Sequence, residues 1–395
     1  MIKYMKKKKS CTACGNNRTN HTLSWFSNTL SVLLEPIDKI VLGSLLGRAA
    51  DALLRYATRP YLYMLQKMWL ISWNTDKEKA LTKRSYVIWE EAEKRGVRME
   101  QLVILKRPVE FYRAFVKNKI IYFESIPQTK KGYTESLTWM DDKLRLKKKL
   151  SDQHIPTPHG GSAYTYTQAK EIFNRIQHPV IIKPRIGSRG RHTTTYIETL
   201  DDLKKAYTSA KQLCFFVIVE EHLTGSVYRG TCVNNTLYGV LEGAPPQITG
   251  DGISSVEKLI EQKNLLVKGS PIKEVVLDKT LDVFLKRTGY TRASIIPEGK
   301  TIDLSEKIGL SYGGMSRELF EDTHEDIKDY LNQAARLIDA GVIGFDFIIQ
   351  DPTKDPSTQK WGIIECNSLP FINLHHDPLY GKPISIAKVV WDTIL

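Results

Sequence analysis

Near its C-terminal end the chain places two carboxylates and an amide in short apolar runs. Asp346 sits between Phe345 and Phe347, and Glu365 and Asn367 follow Ile363 and Ile364. Residues two apart on a strand project from one face, so Glu365 and Asn367 share a side. Asp346 stands opposite them if the two runs pair. Two carboxylates and an amide oxygen on one sheet face form a hard-oxygen site, suited to Mg²⁺ and through it to phosphate oxygens. In the competing reading both acids are ends of exposed strands. The apolar neighbours weigh against it, because an acid within a buried strand needs a partner. On these residues alone both readings stand.

A second constellation begins at Ile181-Ile182-Lys183-Pro184-Arg185-Ile186-Gly187-Ser188-Arg189-Gly190-Arg191. An apolar strand delivers Lys183, and a loop with two glycines and three arginines follows. Glycines let backbone N–H groups approach phosphates, and the cations neutralise charge. No Gly-Lys-Ser/Thr follows, so this is not the P-loop pattern. A basic surface loop remains an equal alternative.

These residues need elements to hold them. At 395 residues with 42% hydrophobic and 26% charged residues, the chain can bury a sizeable core in two or three modules. Residues 1–150 carry 30 Lys/Arg against 14 Asp/Glu, and residues 151–395 carry 27 against 30, so the +13 net charge belongs to the N-terminal part. Such a surface favours an anionic membrane face or another polyanion through residues 1–80, although no nucleic-acid motif is present. Five cysteines suggest no disulfide framework. No stretch of 18 uncharged apolar residues is present, so the expectation is a cytoplasmic protein, with peripheral membrane attachment open.

Residues 1–22 read as a basic disordered arm and 23–72 as helical, together a basic helical region over 1–80. Residues 81–138 read as a small α/β module, with a helix at 86–95 and strands at 102–105 and 120–123. A helix over 141–153 follows. Apolar runs at 180–183 and 215–220 read as buried strands, and Asn234-Asn235 as the turn of a hairpin over 229–241. Helices are expected at 278–288 and 327–340, and a last strand pair at 345–350 and 361–366.

In this order the motifs resemble the ATP-grasp superfamily. The resemblance rests on Lys183-Pro184 with its glycine loop, on Val217-Ile218-Val219-Glu220-Glu221-His222-Leu223-Thr224-Gly225, and on Asp346 with Glu365-Cys366-Asn367. The segments 244–252 and 310–314, Asn367-Ser368-Leu369-Pro370 and the tail through His375 are most similar to the ATP-grasp module of cyanophycin synthetase. The resemblance covers 139–395. It implies an α/β (α+β) ATP-grasp fold preceded by the small module and the basic region.

The resemblance also implies an activity: ATP-dependent joining of a carboxylate, of an amino acid or peptide, to an amine through an acyl phosphate. ATP and Mg²⁺, or Mn²⁺ in its place, would be the cofactors, and a homo-oligomer the expected assembly. Lys143 and Lys183 resemble the two phosphate-binding lysines, with Gly187, Gly190 and Arg191 in the phosphate loop. Glu220, Glu221, His222 and Leu223 resemble the inter-lobe segment that reads adenine. Asp346, Glu365 and Asn367 resemble the metal ligands. Arg229 matches an arginine near the reacting phosphate, and Ser311, Gly313 and Gly314 a loop on the acceptor side.

The chain departs from the family pattern at several positions. Val227 stands where an acid usually holds the ribose, and Ser305 and Gly309 replace an arginine and an asparagine. His192-Thr193 replace the usual Gly-Val. Two alternatives therefore accompany the ligase: a degenerate nucleotide-binding scaffold and a kinase on the same fold. Cys11-x-x-Cys14 with His21 is half of a zinc pattern without a second pair, and is expected to be part of the disordered arm. Lys147-Lys148-Lys149 reads as a solvated helix face, and His375-His376 as polar packing or a site neighbour.

Overall fold

A computed structural model describes residues 11–14, 19–43, 60–129, 139–188, 190–268, 272–305, 313–314 and 316–395. In chain order they form α1 (His21–Gly43), β1 (Ile71–Asn74), α2 (Lys83–Lys94), β2 (Arg98–Ile104), β3 (Arg107–Val116), β4 (Lys119–Glu124) and α3 (Lys143–Ser151). Then come β5 (Gly160–Ala163), α4 (Tyr166–Arg175), β6 (Val180–Pro184), β7 (Thr194–Ile197), α5 (Leu200–Ala210) and β8 (Val217–Glu221). They are followed by β9 (Ser226–Val233), β10 (Thr236–Gly243), β11 (Gln247–Thr249), α6 (Val256–Val267), α7 (Lys279–Arg287), β12 (Thr301–Asp303) and β13 (Ser316–Glu318). The last are α8 (Glu325–Ile338), β14 (Val342–Ile349), β15 (Gly362–Asn367), α9 (Asn373–His376) and α10 (Ile386–Asp392). The chain divides into two compact units, each drawn from three stretches.

The first unit takes Met1–Leu33, Pro158–His222 and Pro245–Met315. Its four-stranded antiparallel sheet runs β5-β8-β6-β7. β8 is buried along its whole length, which explains why 217–221 is apolar apart from its two acids. Ala169, Ile172 and Phe173 of α4 and Leu203, Ala206 and Ala210 of α5 share one core with Val180, Ile182, Val217 and Val219. Thr165 starts α4 with a reciprocal cap, in which its side chain accepts from Gln168 N–H and Gln168 returns to the cap backbone. A smaller core joins the β11–β12 ribbon to α6 and α7.

The second unit takes Leu34–Thr157, Leu223–Ala244 and Ser316–Leu395. Its five-stranded sheet has the order β13-β10-β9-β14-β15, all antiparallel. Asn234 and Asn235 make the β9–β10 turn, both at positive φ (48° and 69°), as a two-residue turn matched to strand twist requires. α8 buries Ile327, Leu331, Ala334, Ala335 and Ile338, a spacing of one helical face, against that sheet. A second sheet, β1-β2-β3-β4, packs with α2 and α10 around Trp89, Tyr112 and Trp391, and the Trp391 indole N–H donates to Ile88 O at 2.9 Å.

Three features differ from the reading of the sequence. β1, which begins in the last residues of the stretch read as helical, pairs with β2 from Ile71↔Ile104 to Asn74↔Gln101, so this sheet draws on residues before 81. Lys147 is buried on α3 rather than solvated, while Lys148 alone of the run is exposed. The arm read as disordered through residue 22 contains an ordered turn, Thr12–Cys14, and the start of α1, with Cys14 only 1% exposed.

Candidate active site

In the second unit the five-stranded sheet lines up the C-terminal candidates. Arg229 on β9 is in register with Asp346 on β14, and Asp346 is in register with Glu365 on β15. Register partners project to the same face, so the three form one row across three strands. Thr231, Gly344 and Asn367 form the next row. A bulge maintains the arrangement. Phe347 pairs with Ile363, which leaves Ile364 as the extra residue and turns Ile363 toward the core while Glu365 stays on the site face. Cys366 points the other way into the core, where burial first, and then the nearby acids and Cys232, hold its thiol well above the usual range. It is a core side chain, not a nucleophile.

Arg229 grips Asp346 with two parallel bonds, Nε to Oδ1 at 2.7 Å and Nη2 to Oδ2 at 2.8 Å. Asn367 Nδ2 donates to Asp346 Oδ2 at 3.3 Å, which turns its amide oxygen away from that carboxylate. Lys143 Nζ lies 3.1 Å from Glu365 Oε2, with its side chain 3% exposed. Asp142 fixes Lys143 in place by capping α3 through the Leu144 and Arg145 N–H groups. Asp141, missed in the sequence although adjacent, accepts from the Ser368 N–H and hydroxyl just beyond Asn367. His375 is a satisfied core residue, bonded to Thr231 Oγ1 at 2.7 Å and Glu318 Oε2 at 2.5 Å. His376 accepts from the Ala387 N–H, and burial holds its pKa down at about 4.

In the first unit, Lys183 on β6 pairs with Glu220 on β8 at 2.6 Å, both nearly fully buried. The two lie on a diagonal of the β6–β8 ladder, since Lys183 opposes Ile218 and Glu220 opposes Ile181. The loop that follows has Gly187 and Gly190 at φ of 71° and 75°. Arg191 turns inward and braces this loop, donating from Nε to Ser188 O and from Nη2 to Gly187 O. Glu221 accepts from the His159 N–H, and the His222 N–H donates to Pro179 O. The chain leaves this unit after His222, and Leu223 begins the next stretch of the other. Gly313 has φ +85° and abuts Lys273 O and Val275; Gly314 follows it, and Ser311 lies outside the described residues.

No family model matches the chain. Cyanophycin synthetase of Synechocystis sp. is 29% identical over 261 residues, 64% of this chain and 30% of the relative. The glutathione biosynthesis bifunctional protein GshAB of Listeria monocytogenes is 27% identical over 314 residues, 78% of this chain and 40% of the relative. The crystal structure of a bifunctional glutathione synthetase from Pasteurella multocida superposes with a TM-score of 0.54 at 25% identity, over 79% of this chain and 42% of that one. The chain is homologous to ATP-grasp ligases. Its mixed α/β architecture of antiparallel sheets is the ATP-grasp fold expected from the motifs. The chain spans less than half the length of these relatives.

Among the described residues the one group of three or more His, Cys or acidic side chains with metal-ligand spacing is elsewhere: Cys11, Cys14, His21 and His192. Three of its four members were visible in the sequence as Cys-x-x-Cys with a nearby histidine. His192 stood out only as a departure from a glycine.

Proposed function

We propose that the chain is an ATP-dependent carboxylate–amine ligase that forms an amide through an acyl phosphate. The observation that carries this reading is the row Arg229–Asp346–Glu365 with Lys143 against its end, which sets two cations and two carboxylates on one sheet face. Joining a γ-phosphoryl group to a carboxylate brings like charges together, and positioned cations offset that repulsion.

In this reading Lys143 and Lys183 bind phosphate oxygens. Gly187 and Gly190 bring backbone N–H groups to phosphate oxygens, while Arg191 keeps their loop in shape. The segment Glu220 to Leu223 reads the purine. The N–H groups of Glu221 and His222 already serve His159 and Pro179, so the purine edge falls to carbonyls of this segment or to residues after His222. Arg229 holds the Asp346 carboxylate in one rotamer and carries positive charge toward the reacting carboxylate. The loop at Gly313 and Gly314, with Ser311, lines the acceptor side.

The donor set fits a hard divalent cation. Asp346 and Glu365 offer carboxylate oxygens on one face and would hold Mg²⁺ or Mn²⁺, joined by the Asn367 amide oxygen once that amide turns over from its bond to Asp346. When bound, the cation screens phosphate charge and holds oxygens in line. The acid would be an amino acid or peptide, handled by the 139–395 domain with 81–138 as a small module before it, in a cytoplasmic homo-oligomer. The test is ADP release screened over amino acids and dipeptides, with hydroxylamine as a trap. ADP with a hydroxamate or amide is the expected result. ADP with a phosphate ester would make the enzyme a kinase and overturn the ligase reading.

Residues 1–80 supply attachment to an anionic surface in the same proposal. On α1, Leu23, Phe26, Leu30, Leu33 and Leu34 are exposed at the spacing of one helical face, within the basic part of the chain. No helix among the described residues is long and apolar enough to cross a membrane. The protein is expected to co-sediment with vesicles containing phosphatidylserine at low salt and to be released at high salt. Absence of binding at low salt would end the attachment reading.

A further inference from the structure

We propose that Cys11, Cys14, His21 and His192 form a structural zinc site that ties the N-terminal segment to the end of the glycine-rich loop. Their ligand atoms all lie within 4.8 Å of one another. Cys14 Sγ is 3.1 Å from His21 Nε2 and 3.4 Å from His192 Nε2; Cys11 Sγ is 3.5 Å from His192 Nε2; and the two Nε2 atoms are 3.3 Å apart. A tetrahedral zinc with its usual bond lengths sets edges of about 3.3 Å between nitrogens and about 3.5 Å between nitrogen and sulfur. The four atoms already stand near the corners of that tetrahedron.

The surroundings are those of a built site. His192 is 1% exposed and Cys14 1% exposed. The Nδ1 of His192 lies 2.8 Å from Ser209 O, so the ring donates there and presents Nε2, unprotonated, to the cluster. Such an outer contact fixes the tautomer and aim of a metal-bound imidazole. The His192 N–H donates to Ala13 O, which pins the Thr12–Cys14 turn to the loop. His192 also adopts φ +50°, a left-handed conformation uncommon for residues other than glycine. A ligand role explains why a histidine occupies a position whose backbone suits the family's glycine.

The ligand set selects the metal class. Two thiolates and two imidazoles make up the four ligands of a structural Zn²⁺ site. Binding releases the two thiol protons and cross-links residues about 180 apart. Around the same point Asn28 Nδ2 donates to Leu213 O, the Phe215 N–H donates to Thr29 Oγ1, and the Asn28 amide fills the space beside Gly187. The metal would therefore hold α1 and the loop 185–192 as one body. This site is separate from the oxygen donors at Asp346, Glu365 and Asn367, and does not depend on whether the chain turns over ATP.

The experiment uses the full chain under reductant, with its zinc measured by elemental analysis and then exchanged for Co²⁺. About one zinc per chain is expected, with sulfur neighbours at about 2.3 Å and nitrogen neighbours at about 2.0 Å by X-ray absorption. The Co²⁺ form should show intense tetrahedral bands and thiolate charge transfer. Cys14→Ser and His192→Gln should each weaken Co²⁺ binding at least about 10²-fold, whereas Cys214→Ala should not. Removing zinc should lower the thermal midpoint and speed proteolysis near residue 20. A weak octahedral cobalt spectrum from the unsubstituted chain would overturn the proposal even if the variants fail to fold. So would metal content indifferent to both substitutions.

Discussion

Replacing Lys183 with alanine is expected to remove most of the Mg-ATP affinity and also to lower the unfolding free energy by about 3–5 kcal/mol. The second effect follows from Glu220, whose carboxylate lies 2.6 Å from Lys183 with 2% of its side chain exposed. Removing the lysine takes from this buried carboxylate the cation that lies against it. A loss of ATP affinity in that variant would therefore be open to a trivial explanation. The double substitution Lys183→Met with Glu220→Gln separates the two effects, because both charges of the buried pair are removed together. It should recover most of the stability in urea denaturation. Calorimetry with Mg-ATP should still find affinity reduced by at least about 10²-fold, the cost of losing a charge-assisted bond to phosphate. Unchanged affinity in the double variant would remove Lys183 from the nucleotide site.

Arg229→Ala should slow turnover by about 10²–10³-fold while leaving Mg-ATP affinity within about threefold. Arg229 is bonded to both oxygens of Asp346 and lies in the row that ends at Glu365 and Lys143. Its loss removes a cation from the reacting face and frees the Asp346 carboxylate to rotate. Arg229→Lys should not rescue the rate, since an ammonium cannot reproduce two parallel bonds to one carboxylate. Single-turnover measurement of ADP, with whichever acid gives a hydroxamate, separates the chemical step from binding. A rate within threefold of the parent chain would show that Arg229 only braces the sheet. A shared drop in rate and ATP affinity would assign it to nucleotide binding instead.

The sequence alone determined those features that depend on local periodicity and motif order. The period-two spacing of Glu365 and Asn367, the apolar run before Lys183 and the Asn234-Asn235 turn each specify a strand, a face or a hairpin within a few residues. Their order along the chain was enough to anticipate the ATP-grasp fold. The strand β1 escaped because four residues among helical-looking neighbours gain their conformation from pairing with β2, a partner about 30 positions away. The burial of Lys147 escaped for a related reason: a lysine run looks solvated until the sheet that covers one face of its helix is known.

Register likewise belongs to tertiary structure. Only the bulge at Ile364 and the pairing of β9 with β14 decide that Arg229, Asp346 and Glu365 stand in one row. The cluster at Cys11, Cys14, His21 and His192 is the sharpest case. Three of its members are within ten positions and suggested half a metal site, but the fourth lies 171 residues beyond His21. No spacing rule spans that distance, because loop closure over so many residues is set by the core the intervening chain folds around. In the sequence His192 was a missing glycine; the fold turned it toward two thiols.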